Sequence, residues 1–278
     1  MLTARERFCP VVLRIDRVIL SAIRRLLPPT IRTSIKRSLG LPTTRLHTDW
    51  QVLQLIGPIH QPHIILDVGA HHGWFFHCWL DWCPQAQVMA FEPTAESFRR
   101  AHELYGADPR VRLFQLGIGA QTGELSFNIL ADSQVSNSFL LPRQADWKAI
   151  EYSTGVISQR RIPISTLDDF CAGQKIAGAY LLKIDVQGYE LEVLKGAIGI
   201  LPHVDHVFVE AGIQRLYEGA PSFAEVCLFM DAQGFHLMHL RTWHRGNRVL
   251  VETDLLFRRN DLAPPIDRDR DRYYLELK

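Results

Sequence analysis

Four carboxylates and one lysine stand where acids and bases do chemistry in an α/β protein. Asp67 ends an apolar run, Glu92 ends a second, Asp185 a third and Glu210 a fourth, while Lys183 lies two residues before Asp185. Between the first two lies the segment IILDVGAHHG at 64–73, in which Gly69 and Gly73 bracket a tight turn that opens onto an amphipathic stretch. That pattern reads as strand, turn and helix N-terminus, with Gly69 free to take a backbone conformation closed to most residues. Nineteen residues beyond Gly73, the run VMAF delivers Glu92 to the tip of the next strand, next to Pro93. In open parallel sheets ligands bind beyond the carboxyl ends of the strands, and an acid at that place can take two ribose hydroxyls. The expectation is a site for a nucleoside-containing cofactor.

The elements that must position these residues alternate along the chain. Strands are expected at Ile64 to Val68, Val88 to Phe91, Val111 to Leu116, Tyr180 to Ile184 and Val207 to Val209. Helices are expected around Trp74 to Trp82, Ala95 to Tyr105, the run LEVLKGAIGIL at 191–201 and Ser222 to Ala232. Two further strands, near Phe235 to Leu240 and Val249 to Phe257, flank a polar turn with Gly246 and Asn247 and form an antiparallel hairpin. Strands separated by helical patterns call for a doubly wound sheet, here of seven mostly parallel strands with helices on both faces. The stretch Glu124 to Pro163 is less regular apart from a strand-like ELSFNI, and a long connection of that kind is expected to form part of a lid over the acceptor.

The chain of 278 residues holds one sizeable core with an appendage, and its net charge of +1 hides an asymmetry. Residues 1–46 carry ten Arg and Lys against Glu6 and Asp16, a balance of +8, so the remainder carries −7. The expected organisation is an N-terminal basic appendage (1–46), a main domain (47–260) and a charged C-terminal tail (261–278). From Val11 to Leu27 apolar residues recur at helical spacing, with Arg14, Arg17, Arg24 and Arg25 on the other face, and a shorter helix ends near Gly40. Two readings stand for residues 11–39: a cap packed on the acidic domain, or a peripheral contact with an anionic membrane surface. Nucleic acid fits less well, because no aromatic platform interleaves with the basic residues. No apolar run reaches the roughly 18 residues of a membrane span, so a cytoplasmic protein is expected, with a peripheral position at the inner face of a membrane as the second reading. The five cysteines form no CxxC pair and are expected as small buried apolar residues.

The segments DVGAHHG at 67–73, AFEP at 90–93, STLDDF at 165–170, LLKIDVQGYELEVLKGA at 181–197 and FVEAG at 208–212 resemble the class I methyltransferases that use S-adenosylmethionine, and more narrowly the FkbM-type family. The resemblance implies a Rossmann-like fold and methyl transfer to a hydroxyl oxygen on a sugar, glycolipid or polyketide-like molecule. It also implies that Asp67, Gly69 and Gly73 belong to the first cofactor motif and that Glu92 holds the ribose. His71 is a candidate contact to the cofactor carboxylate or a solvated turn residue. The third strand ends in LGIG, so the backbone amides of Gly117 and Ile118 are expected at the adenine edge.

Displacement at a sulfonium needs the acceptor oxygen, methyl and sulfur in line, with a base to take the hydroxyl proton. Asp185 is the first candidate and Glu210 the second. Lys183 pairs with its sequence neighbour Asp185 or contacts the acceptor. Glu190 opens a helix, where a carboxylate meets the helix dipole favourably. A magnesium ion held by Asp185 and Glu210 is the lesser reading and no metal is expected. The histidine pairs 60 and 63, 203 and 206, and 236 and 239 are read as non-metal, with His203 a minor candidate base. Two other classes compete: a non-catalytic methyltransferase-like module docking on a membrane or partner enzyme, and a nicotinamide oxidoreductase. The second is disfavoured because the turn is not GxGxxG and no Tyr and Lys stand four apart on a helix.

Overall fold

Alternation of short apolar runs with amphipathic stretches produces a central sheet flanked by helices. The computed structural model describes residues 56, 63–83, 85–130, 136–149, 155–245 and 249–262. All lie in the second of the two units into which the chain divides, residues 56–278. The expected N-terminal helices at 11–39, the helix at 50–56 apart from its last residue, the turn at 246–248 and the charged tail beyond 262 lie outside the described residues.

The main sheet is seven-stranded and ordered β3-β2-β1-β7-β8-β10-β9. Its parallel members are β1 (Ile64–Val68), β2 (Gln87–Phe91), β3 (Val111–Phe114), β7 (Ala179–Ile184) and β8 (Val204–Gly212). The hairpin β9 (Phe235–Arg245) and β10 (Val249–Arg259) closes one edge, with β10 antiparallel to β8 and inserted between β8 and β9. From β1 the chain proceeds outward through β2 and β3, then returns to the other side of β1 as β7, so the strand order reverses between β1 and β7. A crevice opens at such a reversal, outside the carboxyl ends of the strands.

Alternate residues of each strand point to opposite faces. Leu66, Val68, Leu182, Ile184, Val207 and Val209 share one face and are fully buried in the core that also takes Leu167, Val193, Leu194, Val226 and Met230. These last belong to α4 (Leu167–Gln174), α5 (Glu190–Lys195) and α6 (Phe223–Ala232). Each such aliphatic side chain contributes about 1.5–3 kcal/mol through burial. The row Asp67, Lys183 and Phe208 occupies the other face, because Asp67 pairs with Lys183 and Lys183 with Phe208 in the ladders. Phe75 of α1 (Trp74–Trp82) stacks on Phe208 at 5.4 Å between centroids, so α1 covers that row.

Helix α2 (Ala95–Tyr105) spans the residues expected of it. The run at 191–201 is shorter than its pattern suggested: α5 stops at Lys195, where Gly196 packs so close to the Gly119 carbonyl that no larger residue fits. Residues 124–163 are more ordered than expected. β5 (Gly123–Leu130) and β6 (Val156–Ser165) pair antiparallel, and β4 (Gly117–Ile118) adds to β6, giving a second, three-stranded sheet. The signal was obscured because β6 is exposed over most of its length and so lacks alternation of apolar and polar residues. Segment 136–149, including α3 (Gln144–Ala149), is docked through Arg143 N–H donating to the Leu216 carbonyl and Trp147 Nε1 donating to the same oxygen, both at 2.8–2.9 Å.

Candidate active site

Gly69 and Gly73 take φ of +79° and +81°, and His71 between them +50°. The turn is held to β2 by the N–H groups of Gly69 and Ala70, both donating to the Phe91 carbonyl at 3.0 Å. At Gly69 a Cβ would stand 1.9 Å from the Asp185 carbonyl oxygen, so the close approach that requires glycine is to the neighbouring turn. Gly73 is required differently: a Cβ there would run into the rings of Phe76 and Tyr105, which seat α1 and α2.

Glu92 sits at the tip of β2, 6 % exposed, and draws the turn together. Its Oε2 accepts from the His71 N–H at 2.9 Å; its Oε1 accepts from the Thr94 N–H at 2.8 Å and the Thr94 hydroxyl at 2.5 Å. Burial raises the carboxyl above its ordinary value, against these donors. Each oxygen of a carboxylate offers about two acceptor sites, so Oε2 retains one, and release of the Thr94 hydroxyl frees another on Oε1. That arrangement fits a vicinal diol. The His71 ring is stacked on His72 at 3.7 Å, so it is a packed residue of the turn and not simply solvated.

Asp67 and Lys183 form a buried pair under this turn. Lys183 Nζ donates to the Gly69 carbonyl at 2.7 Å and lies 3.1 Å from Asp67 Oδ1 but 3.9 Å from Asp185 Oδ2. The principal partner of Lys183 is therefore Asp67, not its sequence neighbour. Register explains this, since Asp67 and Lys183 are directly opposed across the β1–β7 ladder, an adjacency no single-strand reading contains. With its side chain 7 % exposed and its ammonium turned to Gly69 and Asp67, Lys183 supports the turn. Burial raises the Asp67 carboxyl, and the Lys183 ammonium opposes that shift.

Asp185 follows β7, with its N–H donating to the Val68 carbonyl at 3.1 Å and its side chain 22 % exposed. Gln187, which no charge marks in the sequence, donates from Nε2 to Asp185 Oδ1 at 2.9 Å and to Glu210 Oε2 at 2.8 Å. An N–H donor thus occupies the space between these carboxylates where a shared cation would sit. Beside them a cleft is lined by Gln187, Glu190, Glu210, Gln214, Tyr217 and Glu252. His203 lies elsewhere. It precedes β8, whereas Glu210 is seven residues further along a strand rising about 3.3 Å per residue, so His203 stands about 20 Å away at the opposite end and is excluded as a base.

Glu190 is not merely a helix-dipole residue. Its Oε1 accepts from the N–H groups of Val186 at 3.2 Å and Gly188 at 2.9 Å, closing the turn after Asp185. Burial is the main cause that pushes its carboxyl up from 4.5 to about 7. A raised folded value means that the native state binds the proton more tightly, so stability falls as pH rises from about 4.5 through about 7. Glu190→Gln keeps an oxygen for both N–H groups and removes the titration. Urea unfolding at pH 5 and pH 8 is expected to show the wild type losing about 3 kcal/mol more than the variant between these values.

The STLDDF segment is architectural. Thr166 caps α4 by accepting from the Asp169 N–H, and Asp168 accepts from the N–H groups of Gly199 and Ile200, both at 2.8 Å. Gly117 and Ile118 form β4 at the edge of the second sheet, with one side of the strand taken by β6.

A sheet of this order, with a glycine-bracketed turn after the first strand and an acid at the tip of the second, defines an S-adenosylmethionine-dependent methyltransferase of class I. Residues 67–237 match the Methyltransferase FkbM domain, and the chain belongs to the FkbM methyltransferase family. It is 29 % identical over 189 residues to the 2-O-methyltransferase NoeI of Sinorhizobium fredii, covering 64 % of this chain and 74 % of NoeI. It is 27 % identical over 160 residues to the hexuronic acid methyltransferase AglP of Haloferax volcanii, covering 56 % of this chain and 59 % of AglP. Among solved structures, Streptococcus pneumoniae Sp1610 in complex with S-adenosyl-L-methionine aligns with a TM-score of 0.46 and 13 % identity, over 83 % of this chain and 78 % of that one.

Proposed function

We propose that this protein methylates a hydroxyl oxygen of a glycan, with Asp185 taking the hydroxyl proton. The observation that carries the reading is the Asp185 carboxylate, 22 % exposed just beyond β7 at the reversal point of the sheet, with Oδ1 accepting from Gln187 Nε2 at 2.9 Å and Oδ2 3.9 Å from the Lys183 ammonium. The names of two relatives support it: NoeI is a 2-O-methyltransferase and AglP a hexuronic acid methyltransferase.

Bound S-adenosylmethionine supplies a methyl group activated by a positive sulfur. Glu92 would hold its ribose through the acceptor sites left on the carboxylate. The turn carrying Gly69, His71 and Gly73 would face its amino-acid portion, with Asp67 acting through Lys183 to fix that turn. Gly117 and Ile118 would border the adenine through the side of β4 that faces away from β6. Asp185 accepts the proton as the hydroxyl oxygen gains the methyl, and Glu210 holds a neighbouring hydroxyl. Holding these partners in place is the larger part of the catalysis, and the base adds about 100-fold or more.

The cleft beside Gln187 is small, about 30 Å³, and Asp185 is outside its lining, so it bears on the charge that an acceptor near Glu210 would meet and not on the acceptor's fit. Three carboxylates, Glu190, Glu210 and Glu252, line it, and no Lys, Arg or His does so among the described residues. A neutral, hydroxyl-rich sugar can donate to such a lining, whereas a uronate meets like charge. Labelled methyl transfer at pH 8 to methyl glucoside and methyl glucuronoside, which differ only at C6, is expected to favour the neutral sugar by about tenfold or more, about 1.4 kcal/mol. Added salt should narrow the gap. Absence of product from any hydroxylated glycoside would contradict the proposed function, and preference for the uronate would contradict the charge argument alone.

A further inference from the structure

Gln187 carries more of the site's geometry than any side chain named from sequence. It adopts φ of +58°, a left-handed conformation that costs a non-glycine residue energy and that surrounding contacts must maintain. Both N–H bonds of its primary amide are used, toward Asp185 Oδ1 and Glu210 Oε2. The nitrogen end of the amide faces the two carboxyl groups, the orientation in which it donates and their oxygens accept. The Tyr217 hydroxyl lies 3.2 Å from Gln187 Oε1 and 2.8 Å from the Ser136 carbonyl. The Gln187 carbonyl accepts from the Ser138 hydroxyl at 2.7 Å. One residue therefore joins the ends of β7 and β8 to the segment docked above them.

We propose that Gln187 is a positioning residue for methyl transfer, whose amide clamps Asp185 and Glu210 in one relative orientation and whose backbone ties that pair to residues 136–138. The inference rests on the proposed function. Two carboxylates bonded to the same nitrogen repel one another in a site of low dielectric, and the shared donor offsets that repulsion. Without it the two carboxylates lose the donor that they share. A misplacement of about 1 Å at a reacting group costs about 100-fold.

The charged and titratable groups around the pair are Lys183 on β7, Asp67 on β1, Glu190 on α5, Tyr217 in the loop after β8, Glu252 and Asp254 on β10, and Arg241 on β9, which pairs with Asp254. None of these is altered in the following variants. With methyl glucoside as acceptor, Gln187→Leu is expected to lower kcat by about 10- to 100-fold while KM for S-adenosylmethionine stays within about threefold. Gln187→Gly relieves the left-handed backbone but supplies no amide, and should match the leucine variant. Gln187→Glu reads the donor directly: its carboxyl restores one of the two donated hydrogen bonds when protonated and repels both neighbours when ionised. Its deficit should deepen from pH 6 to pH 8.5, while that of Gln187→Leu stays flat. Wild-type kcat in Gln187→Gly, or a Gln187→Glu deficit independent of pH, overturns the proposal.

A measurement without acceptor separates this inference from the proposed function. In the nitrogen-15 labelled full chain, the Gln187 side-chain amide should show two slowly exchanging protons, both of which move in Asp185→Asn and in Glu210→Gln. A fast-exchanging amide that ignores both substitutions overturns the clamp whatever the enzyme methylates. The expected amide pattern with no methyl transfer to any glycoside would instead count against the glycan reading.

Discussion

Lys183→Met is expected to lower the unfolding free energy by about 3–5 kcal/mol. The reason lies in what remains. Asp67 is fully buried, and methionine fills the space of the lysine stem without returning a positive charge to the carboxylate 3.1 Å from Nζ. The Gly69 carbonyl loses its donor at 2.7 Å in the same step, so the turn of the first cofactor motif loosens together with the β1–β7 seam. Removing both partners is different in kind from removing one, because a pair replaced by apolar groups leaves no buried charge behind. Asp67→Leu with Lys183→Met should recover most of the lost stability and none of the cofactor affinity. Urea unfolding of the two single variants and the double variant measures this. A loss below about 1 kcal/mol in Lys183→Met would show that the pair does not hold the two central strands.

Gly69→Ala is expected to reduce S-adenosylmethionine affinity by more than about 100-fold and to destabilise the fold by about 3 kcal/mol or more. A Cβ at this position would stand 1.9 Å from the Asp185 carbonyl oxygen and 3.3 Å from Val186 Cγ1, and the first of these is backbone that no side-chain rotation can relieve. The φ of +79° adds strain for any L side chain. The two turns would separate, carrying the Asp185 carboxylate away from the cofactor turn. Gly173→Ala provides the control: it lies in α4 with nothing within 4 Å of its Cβ position, and alanine there should stabilise by about 0.5–1 kcal/mol. Thermal melts and calorimetric titration of both variants test the contrast. Equal tolerance of the two substitutions would refute the close-approach argument.

Much of this was legible in the chain alone because it is local. Strand, turn and helix signals around Asp67 and Glu92 fall within thirty residues, and the elements from β1 to β3 follow them closely. The ion pair of Lys183 with Asp185 is present at 3.9 Å, but its shorter contact, to Asp67 at 3.1 Å, is not legible in the chain because that residue is 116 positions away and is chosen by strand register. Gln187 was passed over for a related reason. An amide has no charge or titration to mark it, and its significance comes from the two carboxylates that folding brings to it from separate strands. Glu190 looked like a helix-terminal acid, and only its burial and its bonds to the N–H groups of Val186 and Gly188 reveal a turn-closing role. β6 escaped notice since an exposed strand has no hydrophobic face to give it a period.

The central claim is that the turn after β1 and the acid at the tip of β2 together hold S-adenosylmethionine. Calorimetric titration of the wild type and Glu92→Ala with S-adenosylmethionine, S-adenosylhomocysteine and NAD tests it most directly. The wild type should bind the first two with micromolar Kd and not NAD. Glu92→Ala, folded by circular dichroism, should lose about 2–3 kcal/mol of that affinity, since hydrogen bonds to a charged group disappear together with the anchor of the His71 and Thr94 N–H groups. Undiminished binding by Glu92→Ala, or a wild type that binds neither methyl-cycle ligand, would contradict the account.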